Sequence, residues 1–190
     1  CLVDGAQAVG QFPIDLVDLG CDAYSASLHK WLLGPAGTGF LYVREGARNR
    51  IKTAFAPDAT PDAPAFDPPG TADFPLRAAL MTMLDFVNAI GLERIEERCR
   101  YLSNHLKSQL SELAPVTILS GPLETSCPGS TIFEFSGLDA IAAVPMMEQQ
   151  GRVHIDEHQR DGHNAIRVST HFYNTRAEID RLVDALRSVA

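Results

Sequence analysis

The sequence predicts an α/β fold. Three observations carry this. Short branched or aromatic stretches alternate with Gly and Pro near the start, long helical repeats occupy the middle, and strands and helices alternate again in the last third. Of 190 residues, 45% are hydrophobic and 21% charged, enough apolar side chain to fill a core. No apolar run approaches the ~20 residues of a membrane-spanning helix. A formal charge of -8 argues against a grip on phosphate backbones, which needs a basic face.

Taken in order, strands are predicted at Cys1–Asp4, Cys21–Ser25 and Thr38–Val43, punctuated by Pro13, Gly20, Gly34, Pro35, Gly37 and Gly39. Residues 56–75 contain Pro57, Pro61, Pro64, Pro68, Pro69 and Pro75, whose fixed φ and missing N–H predict an irregular loop. Leu76, Leu80, Met83, Leu84 and Val87 then share one helical face, until Gly91 interrupts. Leu92, Ile95, Cys99, Leu102, Leu106, Leu110 and Leu113 recur every three or four residues and predict a long helix ended by Pro115. Further strands are predicted at Val116–Leu119, Thr131–Phe135, Val153–Ile155 and Ile166–Ser169. Between them Leu138–Gln150 reads as a helix with Gly151 as its stop, despite Pro145 in its middle. The last helix has capping-box spacing at Thr175 and Glu178, and Ile179, Leu182, Val183 and Leu186 form its apolar face. The expected division is residues 1–90, a connecting helix over 91–114, and a small α+β domain over 115–190.

Cys1, Cys21, Cys99 and Cys127 are far apart and lack metal-ligand spacing, which predicts reduced, mostly buried thiols in a cytoplasm. His154, His158 and His163 lie in a polar stretch with Asp156, Glu157, Arg160 and Asp161, read as a solvated charged loop that could touch substrate; no metal is expected. The chain starts at Cys1 inside a predicted buried strand, so it is expected to be part of a longer protein.

Two stretches carry candidate chemistry. Asp4-Gly5-Ala6-Gln7 puts a carboxylate and an amide just past a strand end, where ligands of α/β sheets gather. Ser27-Leu28-His29-Lys30-Trp31, followed by Gly34-Pro35-Ala36-Gly37-Thr38-Gly39, puts a hydroxyl, an imidazole and an amine beside a Gly-rich turn. A lysine among apolar neighbours can serve as a nucleophilic amine. Singly, such an Asp is usually a turn or cap residue and such a Lys a solvated charge. The ordered combination is what points to chemistry.

The order Asp4-x-x-Gln7, Ser27-x-His29-Lys30, Gly34-Pro35, Gly37-x-Gly39 resembles the cofactor-lysine region of the class V aminotransferase family of pyridoxal-phosphate enzymes, fold type I. Gly70-Thr71-x-Asp73 resembles that family's phosphate-contacting loop. Arg167-Val168-Ser169, then Tyr173-Asn174-Thr175, resembles its substrate-carboxylate strand and the start of its last helix. The resemblance covers nearly the whole chain and is nearest to the isopenicillin N epimerase-like branch. It implies the C-terminal half of such a protein: part of the large cofactor domain (1–90) plus the small C-terminal α+β domain. It also implies pyridoxal 5'-phosphate as cofactor, an amino-acid or amine substrate, and a homodimer with a shared active site.

By the same resemblance, Lys30 forms the Schiff base with the cofactor and then moves the α-proton. Asp4 pairs with the pyridine nitrogen and keeps it protonated. Gln7 bonds the ring hydroxyl oxygen. Ser27 and His29 bind the phosphate or shape its pocket, and His29 could equally stack on the ring. Thr71 offers a hydroxyl to a phosphate of the other subunit. Arg167 holds the substrate carboxylate in a bidentate pair. One departure stands out. Cysteine desulfurases of the family carry a catalytic Cys shortly before that arginine, whereas residues 154–163 contain none. The expectation is a cytoplasmic enzyme with aminotransferase or epimerase-like chemistry. The alternatives are a carbon–sulfur lyase of the same family, or a non-catalytic fragment acting as a structural or interaction domain.

Overall fold

Short strands of small and aromatic residues build the first sheet. In the computed structural model, which describes residues 1–52, 66, 70–71, 73–122 and 124–189, β1 (Leu2–Asp4), β2 (Ala23–Ser27) and β3 (Gly39–Val43) form a three-stranded sheet in that order. β1 and β2 are parallel, with Asp4 opposite Ser25. β2 and β3 are antiparallel, with Ser27 opposite Gly39. The parallel pair brings the carboxyl ends of β1 and β2 to one edge. The crossover between them includes a single-turn helix, α1 (Leu16–Leu19), capped by the Asp15 carboxylate on the amides of Val17 and Asp18.

β2 begins two residues later than the apolar pattern predicts. Asp22 is drawn into other bonds: its amide donates to the Cys1 carbonyl at 2.9 Å, and its carboxylate takes Arg44 and Arg50. Cys21 nonetheless packs with Tyr24, Ala26, Val3, Val9, Ile14 and Leu16 beside the sheet. The Tyr24 ring lies across Gly5, where a Cβ would stand 1.9 Å from its Cζ and Oη.

Helix α2 (Phe74–Ile90) starts before the predicted Leu76. The Asp73 side chain accepts from the Leu76 amide at 2.9 Å, and Pro75 sits in the first turn, where a missing N–H costs nothing. Pro75 is therefore a helix residue and not part of the irregular loop. Pro57, Pro61, Pro64, Pro68 and Pro69 lie outside the described residues. Met83 and Val87 face inward as expected, whereas Leu84 is exposed.

The chain divides into two compact units, Cys1–Glu93 and Arg94–Ala190. The second is built on α3 (Leu92–Leu110), whose Ile95, Cys99, Leu102, Leu106 and Leu110 are all buried. Its sheet runs in the order β4 (Val116–Ile118), β5 (Ser130–Phe135), β7 (Ala165–Ser169) and β6 (Asp156–His158), with every neighbour antiparallel. α4 (Ala140–Gly151) and α5 (Arg176–Arg187) complete a core in which Phe133, Met147, Ile166, Leu182 and Leu186 are buried with the α3 leucines. The capping box of α5 forms as predicted: Thr175 Oγ1 accepts from the Glu178 amide, and the Glu178 carboxylate accepts from the Thr175 amide at 2.8 Å.

Two expectations shift here. Gly151 belongs to α4, and the left-handed residue that ends the helix is Arg152 at φ 50°. Arg152 and Val153 both donate to the Met147 carbonyl and so finish the helix, and residues 152–155 do not join the sheet. The strand predicted at Val153–Ile155 therefore appears at Asp156–His158. Of the four free thiols, Cys21 and Cys99 are buried, Cys127 is half-buried and Cys1 is exposed. Burial pushes the Cys99 thiol up to about 11. Among the described residues no single helix is long and apolar enough to cross a membrane.

Lys107 on α3 is only 4% exposed. Its ammonium donates to Ser126 Oγ at 2.8 Å, and no carboxylate pairs with it among the described residues. Burial, with Arg100 adding like charge, lowers its pKa from the ordinary lysine value. The unfolded chain therefore binds more protons at this site, and its contribution to stability rises with pH up to the unfolded lysine value of about 10.4. Lys107→Met should raise the Tm by a few degrees at neutral pH, and thermal melts across pH should show that gain shrinking toward pH 10–11. In the first unit, Gly5→Ala should cost about 1–3 kcal/mol through overpacking against Tyr24. Tyr24→Ala should cost less in the Gly5→Ala background than in the wild type, a coupling that denaturant melts would read.

Candidate active site

The predicted site residues Asp4, Gln7, Ser27, His29 and Lys30 emerge from how β1 and β2 end. Asp4 closes β1 and is exposed; its Oδ1 accepts from the Ala6 amide at 3.0 Å, which turns the chain. Its second oxygen has no hydrogen bond among the described residues. Gln7 follows in that turn. Its Oε1 accepts from the Trp31 indole N–H at 3.0 Å, and its carbonyl accepts from the side-chain amide of the buried Gln11. The side-chain carbonyl is thus committed to the lysine segment, while the Gln7 amide N–H group has no bond among the described residues.

Ser27 closes β2 and is half-buried. The next residues fold back on themselves: Leu28 donates to the Thr38 carbonyl at 3.1 Å, and Gly34 donates to Leu28 at 2.7 Å. Leu33 donates to the Lys30 carbonyl at 3.2 Å, closing a four-residue turn. It adopts φ 64°, a left-handed conformation that costs a non-glycine residue about 1–3 kcal/mol. Leu28, Trp31 and Leu32 are buried, while His29 and Lys30 are exposed. Apolar anchors on both sides hold the turn, and the lysine amine stands clear of it. That amine makes no hydrogen bond or ion pair among the described residues. His29 Nδ1 lies 3.4 Å from the Thr38 carbonyl.

The two turns touch through backbone. Gly10 has φ 98°, and a Cβ there would lie 2.5 Å from the Leu32 nitrogen and from the Trp31 carbonyl carbon. This approach and the Gln7–Trp31 bond tie the loop after β1 to the loop after β2. Asp4, Gln7, Ser27, His29 and Lys30 therefore gather at one sheet edge. Thr71 is not joined to them: it is exposed, outside regular structure, and makes no hydrogen bond among the described residues. Its neighbour Asp73 serves as the cap of α2.

Arg167 lies in the second unit, in mid-β7 between Ile132 on β5 and Asp156 on β6. Its Nη2 pairs with Asp156 Oδ2. Its Nε is buried and has no hydrogen-bond partner among the described residues. Asp156 is thus the first residue of a strand with a specific partner, which corrects its assignment to a solvated loop. Sequence reasoning missed this pair and the Gln7–Trp31 bond, because neither has a local signal.

The Tyr173-Asn174-Thr175 segment has a local structural role. Asn174 Oδ1 accepts from the His171 amide at 2.9 Å, and its amide reaches Glu178. The Tyr173 ring stacks on His171 with centroids 4.3 Å apart. The polar histidines diverge: His154 pairs with Glu148 and His163 with Glu134. Among the described residues no group of three or more His, Cys, Asp or Glu could hold a metal ion.

The family model described as "Aminotransferase class-V" matches residues 1–182. Isopenicillin N epimerase of Amycolatopsis lactamdurans is 32% identical over 211 residues, covering 100% of this chain and 52% of that protein. A cysteine desulfurase of Yersinia pseudotuberculosis is 33% identical, covering 99% of this chain and 50% of its own length. The chain thus spans about half the length of the curated relatives it matches. Among solved structures, the cystine C-S lyase C-DES with its product cysteine persulfide superposes with a TM-score of 0.80 at 28% identity, covering 96% of this chain and 50% of the lyase. A variant of C-DES holds glycine covalently linked to its pyridoxal-phosphate cofactor. The family depends on pyridoxal 5'-phosphate, and the fold is that of its fold type I enzymes. The chain belongs to the class V aminotransferase family.

Proposed function

We propose that this chain supplies the reactive lysine and the substrate-binding arginine of a pyridoxal-phosphate enzyme acting on an amino acid or amine. The observation that carries this is Lys30: an exposed amine without a partner among the described residues, on a turn pinned by Leu28, Trp31 and Leu32, at the same sheet edge as Asp4. Bound there, pyridoxal 5'-phosphate supplies an aldehyde for covalent attachment and a protonated ring that draws electrons from the bonds at the substrate α-carbon. The residues present fit its groups. Lys30 holds the cofactor at rest and afterwards moves the α-proton on its amine. The free oxygen of Asp4 holds a proton on the ring nitrogen.

The Gln7 amide N–H, left over from the Trp31 bond, donates to the ring hydroxyl oxygen. Ser27 Oγ and the His29 ring orient the phosphate, and Thr71 contributes to a phosphate across a homodimer interface. Arg167 binds the substrate carboxylate through two parallel N–H bonds, which fixes the bond presented for cleavage. The relatives include an isopenicillin N epimerase, a cysteine desulfurase and a cystine C-S lyase, and we assign this chain to aminotransferase or epimerase-like chemistry. A carbon–sulfur lyase is the second reading, carried by the likeness to C-DES. A desulfurase route through a loop cysteine is disfavoured, since residues 154–163 have none. Unpaired Cys21 and Cys99 accord with a cytoplasmic setting.

Mixing the protein with pyridoxal 5'-phosphate should produce a new absorption band. Borohydride should then fix the cofactor to the Lys30 peptide in mass spectrometry, and Lys30→Ala should abolish the label completely. A well-folded sample that takes no label, both as this chain and extended to the length of its relatives, would leave the non-catalytic reading in its place.

A further inference from the structure

We propose that Asp156 is a specificity-determining residue of the carboxylate site. It occupies Arg167 until a substrate carboxylate displaces it, and its charge discriminates against substrates that carry a second anionic group. This rests on the reading of Arg167 as the carboxylate-binding residue.

The register places the pair. Asp156 and Arg167 are direct partners across the β6–β7 ladder, so their side chains leave the same face of the sheet. On the other flank the partner of Arg167 is Ile132, which offers no side-chain acceptor. Asp156 is the only side chain bonded to the guanidinium among the described residues. The fork has five N–H donors, and both of its bidentate edges include Nη2, the nitrogen that Asp156 holds. An incoming carboxylate must share Nη2 with Asp156 or take it. The contact leaves Nε buried and unsatisfied, so Asp156 is a partial substitute for a bidentate ligand.

Exposure indicates which partner yields. The Arg167 side chain is 26% exposed and that of Asp156 is 50% exposed, on the edge strand of the sheet. The arginine stays and the aspartate swings aside. Even displaced, its carboxylate remains beside the site as a like charge. It opposes every bound carboxylate, and it opposes most strongly a ligand with a second one.

Asp156→Asn separates charge from positioning, because its side-chain carbonyl can still accept from Nη2. The Arg167 Nε–H signal of the 15N-labelled chain, without cofactor, would be followed while L-alanine or L-glutamate is titrated in. The wild type should bind alanine more tightly than glutamate. Asp156→Asn should tighten both, with roughly a tenfold gain for glutamate and a smaller one for alanine. Asp156→Ser, which removes the charge with a smaller side chain, should move both in the same direction. Affinities within twofold of wild type, or equal weakening of both ligands, would overturn the proposal while leaving Arg167 as the carboxylate ligand. No response of the Arg167 signal to either amino acid, in any of the three proteins, would overturn both.

Discussion

Parallel pairing of β1 with β2 is the constraint from which the site follows. It sends the chain out of both strands at the same edge, so the carboxylate of Asp4 and the amine of Lys30 share a neighbourhood although twenty-six residues separate them. Pairing alone would leave two loops free to part. They are joined by the Trp31 indole bond to Gln7 and by the contact of Gly10 with the Trp31–Leu32 backbone. The strained left-handed Leu33 then turns the chain sharply, with buried residues on either side of Lys30. Local strain is tolerated because these anchors over-determine the turn.

The second unit solves a different problem with the same means. Arg167 is held in mid-β7 between Ile132 and Asp156, and its side chain stays 26% exposed, so its guanidinium is fixed without being sealed off. The buried polar residues of α3 show the complementary case. Ser103 donates to the Pro128 carbonyl at 2.7 Å and Lys107 to Ser126, so this face of the helix secures the loop before β5.

What could be read in advance divides along locality. The leucine repeat of α3 and the Thr175–Glu178 capping box are set within a few residues, and both were legible. The order of the motifs around Lys30 stands in the sequence itself, but the end of β2 does not: the strand closes at Ser27, two residues past the predicted Ser25. The start of β6 was not legible, because it depends on Arg152 and Val153 finishing α4. Asp156 looked like one charge among several in a polar stretch. Only the ladder register, across eleven residues, singles it out. The Gln7–Trp31 bond spans twenty-four residues, and no periodicity or spacing rule reaches that far.

Trp31 has a practical consequence. It is the only tryptophan in the sequence, it is buried, and it directly follows Lys30. Indole fluorescence of these 190 residues therefore comes from one place. Its emission wavelength reports the packing of the lysine turn. A chromophore bound at the neighbouring amine would absorb that emission, so quenching would count occupied sites without any added label.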